Sequence, residues 1–401
     1  MNEWTTDPGV AAPGVEVRVP AGSGAAASRP AEPPVVEAAT DAALLERALF
    51  EVKKVIVGQD HMVERMLVAL LARGHCLLEG VPGVAKTLAV QTLATVVGGS
   101  FVRIQFTSDL VPSDIIGTRI FRSSRETFDI ELGPVFANFV LADEINRAPA
   151  KVQSALLEVM SERQVSLGGV THKLPRPFLV LATQNPIESE GVYPLPEAQR
   201  DRFLMKVNVP YPTAAEELEI VRRMGVRPPT AERVLEPESL IRLQNRADDV
   251  FVHHAITEYA VRLVLATRSP ADVDLPELVG HLAYGASPRA SLGLIAAARA
   301  LALLRGRDYV VPDDVSAVAL DVLPHRLVLS YEALAEGLTA EEIAGRVLDA
   351  LPPPQVAPRQ QAGADRAGRG GHIPPPVTHS GRWRTDPRTG FPEYFDGGSP
   401  R

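Results

Sequence analysis

The apolar run Cys76-Leu77-Leu78-Glu79 breaks into Gly80-Val81-Pro82-Gly83-Val84-Ala85-Lys86-Thr87, and Lys86 to Val97 then carries apolar residues at helical spacing. Strand, glycine-bearing loop and helix in direct succession leave few architectures open, because the helix must pack back onto the strand it has just left. Glycines in such a loop let backbone N–H groups converge on an anion, and the helix N-terminus adds partial positive charge. Lys86 is then placed to reach the β and γ phosphates of a nucleotide, and Thr87 to coordinate Mg2+. The loop departs from the G-x-x-x-x-G-K-[ST] pattern at one position, where Ala85 replaces the second glycine; an alanine fits there if its φ is negative. By itself such a stretch can also be an incidental glycine-rich turn.

A second apolar run, Asn138-Phe139-Val140-Leu141-Ala142, ends in Asp143-Glu144 and puts two carboxylates at a strand's C-terminal edge. There Asp143 would serve the metal and Glu144 would polarise an attacking water. A lone acidic pair after a strand is usually only solvated; its order and distance after the loop turn the reading to nucleotide binding. Further on, Phe178 to Ala182 ends in Thr183-Gln184-Asn185-Pro186, so Asn185 can hold the same water from the other side, the bland alternative being a turn cap. Glu197-Ala198-Gln199-Arg200-Asp201-Arg202-Phe203 offers guanidinium groups suited to transition-state charge, or to ordinary surface ion pairs. In Gly285-Ala286-Ser287-Pro288-Arg289-Ala290, Pro288 opens a helix and Arg289 is placed to close over phosphates.

The apolar runs near 76, 101, 139 and 178 alternate with helical pattern, as at Ala150 to Ser161, which predicts a parallel sheet covered by helices. From about 214 the pattern turns helical, with runs at Ala215 to Met224, Pro237 to Ala247, Asp249 to Ala266 and Ala290 to Arg305, and Pro228-Pro229 marks a hinge or linker near the changeover. The expected organisation is a disordered arm over 1–40, an α/β domain over 41–212, a helical domain over 213–351 and a Pro/Gly-rich disordered tail over 352–401. Lys+Arg 41 against Asp+Glu 49 leaves a formal charge of -8, which argues against binding nucleic acid phosphates or anionic lipid without a local basic patch. A single Cys excludes an intrachain disulfide and a cysteine zinc site. No apolar stretch reaches the roughly 18 residues of a membrane span, and the opening MNEWTTDPGV lacks a signal-peptide pattern, so the expected setting is cytoplasmic.

Taken in order, Val57-Gly58-Gln59, Glu79 to Thr87, Arg103-Ile104-Gln105-Phe106-Thr107, Leu141 to Arg147, Ala182 to Pro186 and Gly285 to Ala290 resemble the MoxR family of AAA+ ATPases over roughly 41–351. An alanine at position 85 is usual in that family. The resemblance implies a P-loop, three-layer αβα domain with a parallel sheet, followed by a smaller all-helical lid. It also implies ATP and Mg2+ as cofactors. Val57, Gly58 and Gln59 match the segment lining the adenine pocket, and Gly80, Val81, Pro82, Gly83, Val84, Ala85, Lys86, Thr87 and Leu88 match the nucleotide loop. Thr87 and Asp143 match the Mg2+ ligands, Glu144 the catalytic carboxylate, Asn185 sensor 1 and Arg289 sensor 2. Arg202 matches the arginine that acts on a neighbouring subunit's nucleotide, with Arg200 and Arg147 as rivals. A trans-acting arginine implies a ring, expected to be a hexamer. Phe121 to Phe128 and Gln164 to Thr171 resemble the family's two inserted hairpins. MoxR proteins are regarded as chaperone-like remodelling ATPases acting on a protein client, often with a von Willebrand factor A domain partner.

Two other readings compete: a nucleic-acid motor, disfavoured by the negative charge and the weak basic surplus over 161–174, and a nucleotide-gated scaffold with little turnover. Neighbouring His253 and His254 in a helical pattern would point apart and not share a metal. Cys76 reads as a small buried hydrophobe. Trp383, Phe391, Tyr394 and Phe395 in the tail read either as a partner-docking motif or as a merely sticky segment.

Overall fold

In the computed structural model, which describes residues 35–123, 126–186, 191–355, 382–385 and 392–395, the apolar runs form one parallel sheet. Helices α1 (Val35–Val55) and α2 (Asp60–Leu71) precede β1 (Cys76–Gly80), α3 (Lys86–Val97) and β2 (Phe101–Gln105). A short α4 (Pro112–Ile116) leads into the hairpin β3 (Gly117–Arg122) and β4 (Thr127–Leu132), then β5 (Phe139–Asp143) and α5 (Ala150–Glu162). A second hairpin, β6 (Gln164–Leu167) with β7 (Val170–Lys173), comes before β8 (Leu179–Gln184), α6 (Glu197–Arg200) and β9 (Met205–Val209). Both hairpins lie where the family resemblance expects insertions.

The sheet runs β2-β5-β8-β1-β9 with every neighbour parallel. Its central strands are apolar up to their C-terminal ends because both faces are covered, and turn polar only there, at Glu79, Asp143, Thr183 and Gln184. Cys76, Leu78, Phe139, Leu141, Leu179 and Leu181 pack into the core shared with α1, α2 and α3. Leu77, Val140, Ala142, Val180 and Ala182 face the opposite core with Leu156 and Phe203. Strand periodicity of two therefore puts alternate residues of one run into two different cores.

The remaining helices are α7 (Ala214–Met224), α8 (Pro237–Asp249), α9 (His254–Ala266), α10 (Pro288–Leu304), α11 (Pro312–Val322), α12 (Tyr331–Ala335) and α13 (Ala340–Ala350). This region is helical except for β10 (Leu282–Tyr284), which pairs antiparallel with β11 (Val328–Leu329), a departure from the all-helical expectation. Its apolar faces, including Leu243, Leu263, Leu294, Leu301 and Val318, join the core of α1, α2 and α3. The described residues from 35 to 355 accordingly pack as one unit.

The connection around Pro228-Pro229 is strapped down: the N–H groups of Val234 and Leu235 donate to Val96 O at 2.8 and 3.0 Å, and Glu232 N–H donates to the Glu51 carboxylate at 2.8 Å. The helix expected over Asp249 to Ala266 begins only at His254, because Phe251 N–H and C=O bond Asp308 O and Val310 N at 2.9 Å. His253 is consequently the cap of α9 and not part of it, and its ring lies 4.2 Å from that of His254. The two imidazoles are neighbours, contrary to the expectation that they point apart.

α1 starts at Val35, inside the arm expected to end at 40; residues 1–34 lie outside the described residues. In the tail expected to lack regular structure, β12 (Arg382–Thr385) pairs antiparallel with β13 (Pro392–Phe395), with Trp383 opposite Tyr394. Aromatic and β-branched residues give these two short runs their strand preference. Phe391, between them, lies outside the described residues.

Candidate functional site

Strand register fixes the site. Glu79 pairs with Gln184, Ala142 with Ala182, and Gln105 with Asp143, so the C-terminal ends of β1, β8, β5 and β2 lie level along one edge. In open parallel sheets that edge, where crossovers leave in opposite directions, is where ligands sit. The loop after β1, the carboxylates after β5 and Asn185 after β8 all open there.

The loop's shape is set by its glycines and one strained alanine. A Cβ at Gly80 would come within 2.5 Å of Val209 O on β9, so a side chain there would push the edge strand away. Gly83 turns at φ 86. Ala85, the residue before α3, has φ 62 and ψ 19, which overturns the negative φ expected of it. The loop takes the same left-handed turn a glycine would provide, at a strain of about 1–2 kcal/mol for an L-residue. Lys86 Nζ donates to Gly80 O, folding its ammonium back over the loop. Burial pulls the Lys86 pKa below its ordinary value, against the opposing pull of Asp143, Glu144 and Glu79. A half-buried cation facing three carboxylates is a group awaiting a closer anion.

Asp143 is buried and shared. Its Oδ2 accepts from Arg103 Nε and Nη2 at 2.9 and 2.7 Å and lies 3.5 Å from Thr87 Oγ1, while Oδ1 accepts from Thr183 Oγ1. Glu144 sits at φ 58, again left-handed, and its N–H donates to Thr183 Oγ1 at 2.9 Å. That turn projects its carboxylate off the strand end, where it accepts from Gln105 Nε2 at 2.7 Å and pairs with Arg147 Nε at 3.0 Å. Non-glycine residues held at positive φ cluster where a fold stores strain for function, and this edge holds two. Asn185 is buried beside them.

Val57-Gly58-Gln59 lies between α1 and α2, with Gly58 and Gln59 both left-handed at φ 66 and 54. Gln59 Nε2 donates to Pro210 O at 2.8 Å, and a Cβ on Gly58 would meet the Glu216 carboxylate at 2.6 Å. The segment is thus held against the connection from β9 to α7.

Of the four expected arginines, Arg147 is paired with Glu144, and the other three are also engaged within the chain. Arg202 Nη1 donates to Leu157 O at 2.9 Å and Ser161 Oγ at 2.6 Å on α5. Arg200 Nη2 stands 3.6 Å from Glu197 Oε1, and its Nε is buried without a hydrogen-bond partner. Arg289 Nη1 reaches Asp201 Oδ2 at 3.4 Å. No motif in the sequence assigns a role to Arg103, Gln105, Thr183, Asp201 or Arg326, although the polar positions 103 and 105 interrupting an apolar strand are a signal that a strand end faces chemistry.

Among the described residues no cluster of His, Cys, Asp or Glu forms a protein-only metal cage, and no helix is long and apolar enough to cross a membrane. Cys76 is buried, and burial pushes its thiol far above the usual range.

Residues 75–205 match the profile of the ATPase family associated with various cellular activities, and 280–347 match that of the AAA lid domain. Chaperone MoxR1 of Mycobacterium tuberculosis is 61% identical over 363 residues, covering 90% of this chain and 94% of that protein. Protein MoxR of Methylorubrum extorquens is 33% identical over 81% of this chain and 99% of its own length. A crystal structure of a candidate ATPase from Cytophaga hutchinsonii superposes with a TM-score of 0.75 at 45% identity, covering 80% of this chain and 98% of that one. A sheet order, loop and lid of this kind define an AAA+ ATPase, and the chain belongs to the MoxR family within that class.

Proposed function

We propose that the chain binds ATP with Mg2+ along the edge formed by β1, β5 and β8, hydrolyses it within an oligomeric ring, and spends that free energy on remodelling a protein client. The observation that carries this reading is the approach of Thr87 Oγ1 to Asp143 Oδ2 at 3.5 Å across the sheet edge, with Lys86 and Glu144 on either side. Hard oxygen donors, few in number and open on one side, suit Mg2+, which keeps waters and phosphate oxygens as its other ligands. When bound, that ion would neutralise charge on the outer phosphates.

The chain's own residues then divide the work. The N–H groups of the loop and the N-terminus of α3 cradle phosphate, Val57-Gly58-Gln59 borders the base, and Leu88, packed against the core, anchors the start of α3. Lys86 exchanges Gly80 O for phosphate oxygens. Glu144 accepts the proton of the attacking water once Gln105 and Arg147 yield its carboxylate, and Asn185 orients that water. Arg289 serves the chain's own nucleotide and Arg202 or Arg200 that of a neighbouring subunit. Arg202 must leave Leu157 O and Ser161 to do so, whereas Arg200 has only a long ion pair to give up. The name of the Mycobacterium tuberculosis relative, Chaperone MoxR1, supports a chaperone-like role, and a von Willebrand factor A domain protein is the partner class that the family resemblance implies.

The test is steady-state ATP turnover of the full chain against Glu144→Gln across protein concentration. Turnover that rises more steeply than concentration and disappears in the variant supports a ring ATPase. Tight ATP binding without turnover, even with candidate partners added, would replace it with a nucleotide-gated scaffold.

A further inference from the structure

Asp201, just after α6, is the meeting point of three side chains from the helical region. Its Oδ1 accepts from Arg326 Nε at 2.9 Å, both its oxygens accept from Ser287 Oγ at 3.1 and 2.9 Å, and Oδ2 meets Arg289 Nη1 at 3.4 Å. The two guanidinium groups on this one carboxylate are unlike in every other respect. The Arg326 side chain is 3% exposed and also donates to the carbonyls of Phe203, Leu204 and Val322, so it cannot leave without stranding a buried charge. The Arg289 side chain is 57% exposed and holds Asp201 by the longest contact of the set. Burial draws the Arg326 pKa down to about 10, with Asp201 opposing and the like charge of Arg289 adding to the depression. Departure of Arg289 relieves that repulsion and leaves Asp201 still compensated by Arg326 and Ser287.

We propose that Asp201 is the resting partner of Arg289 and competes for its guanidinium with the outermost phosphate of a bound nucleoside triphosphate, so that Asp201 sets how strongly the site distinguishes triphosphate from diphosphate. Asp201 is thus a positioning residue, acting through Arg289. The inference rests on the assignment of Arg289 to the chain's own nucleotide made above. A diphosphate lacks the competing group, so Arg289 stays on Asp201 and diphosphate affinity is independent of it.

The experiment is equilibrium binding of ADP and of a non-hydrolysable ATP analogue to the full chain with Mg2+. Asp201→Asn removes the charge and leaves one amide oxygen to accept from Arg326 and Ser287 while its NH2 cannot accept from Arg289, and is expected to tighten the analogue about fivefold, the scale of one partly exposed ion pair, with ADP unchanged. Adding Arg289→Ala should erase that gain. Parallel changes for both nucleotides, or no change, would overturn the proposal in favour of a purely structural tie. Should Asp201→Asn fail to fold because Arg326 is stranded, Ser287→Ala tests the same competition with the opposite sign. Asp201 loses a donor and holds Arg289 harder, so analogue affinity falls while ADP affinity stays; an unchanged ratio sinks the proposal. A wild-type chain that binds neither nucleotide, or one whose preference survives Arg289→Ala alone, would instead remove the assignment of Arg289 on which the inference stands.

Discussion

Ala85 shows how a single residue can satisfy a loop against its own preference. Its φ of 62 places a methyl group where a glycine would be unstrained. Ala85→Gly is expected to change stability by less than about 1 kcal/mol, relief of strain offsetting added chain entropy, whereas a β-branched Ala85→Val should lower it by more than that. Thermal melts of the three chains check this. His75 carries a second residue-scale consequence. Its Nδ1 accepts from Val180 N–H at 3.0 Å and its Nε2 donates to Met160 O at 3.1 Å, an arrangement only the neutral ring allows. Burial pushes its pKa down to about 4 from the ordinary 6.5. With the folded value below the unfolded one, the unfolded chain binds the proton first. Stability is therefore full above about pH 6.5 and falls as pH drops toward 4, by up to about 3 kcal/mol. Urea titrations at pH 7 and pH 5 should show the drop, and His75→Gln should reduce it without abolishing it, because burial lowers the His325 pKa in the same direction.

Between elements, the ion-pair triad on β1, β9 and α13 ties the strand that feeds the loop to the last helix. Lys206 Nζ lies 2.9 Å from Glu79 Oε2 and 2.8 Å from Glu341 Oε1. Burial would lower the Lys206 pKa, but the two carboxylates outweigh it and hold the ammonium above its usual range. Its contribution is complete below the ordinary lysine pKa and is lost only as pH rises through the elevated one, so neutral pH retains it. Lys206→Ala leaves two carboxylates facing each other and should cost about 2–3 kcal/mol, read as a lower urea midpoint. Lys206 also shows why no long apolar run marks β9. Met205-Lys206-Val207-Asn208-Val209 alternates polar and apolar residues as an edge strand does, and its two polar residues point at partners far along the chain that no local pattern reveals.

For the whole molecule, the arginines that would act across subunits decide whether assembly and turnover are one property. Arg202→Ala should lower turnover by roughly 10³-fold while sparing ATP affinity if it is the trans-acting group. The same loss in Arg200→Ala, with Arg202→Ala only destabilising α5, would assign the role to Arg200; turnover and equilibrium nucleotide binding of both variants separate the outcomes. Mixing Lys86→Ala chains, unable to bind nucleotide, with either arginine variant should restore part of the activity if the residues work in trans. The order of motifs, the parallel sheet and the identity of Lys86, Thr87, Asp143, Glu144 and Asn185 were all present in the sequence. Apolar runs of strand length and a glycine-bearing turn are local signals, set by backbone sterics and burial. The structure alone decided that Ala85 turns left-handed, that Arg103 and Thr183 hold Asp143, that Gln105 and Arg147 hold Glu144, and that Asp201 joins Arg289 to Arg326. Each of these depends on strand register or helix docking between segments far apart in the chain, and a charged side chain takes whichever partner the fold brings within about 3 Å.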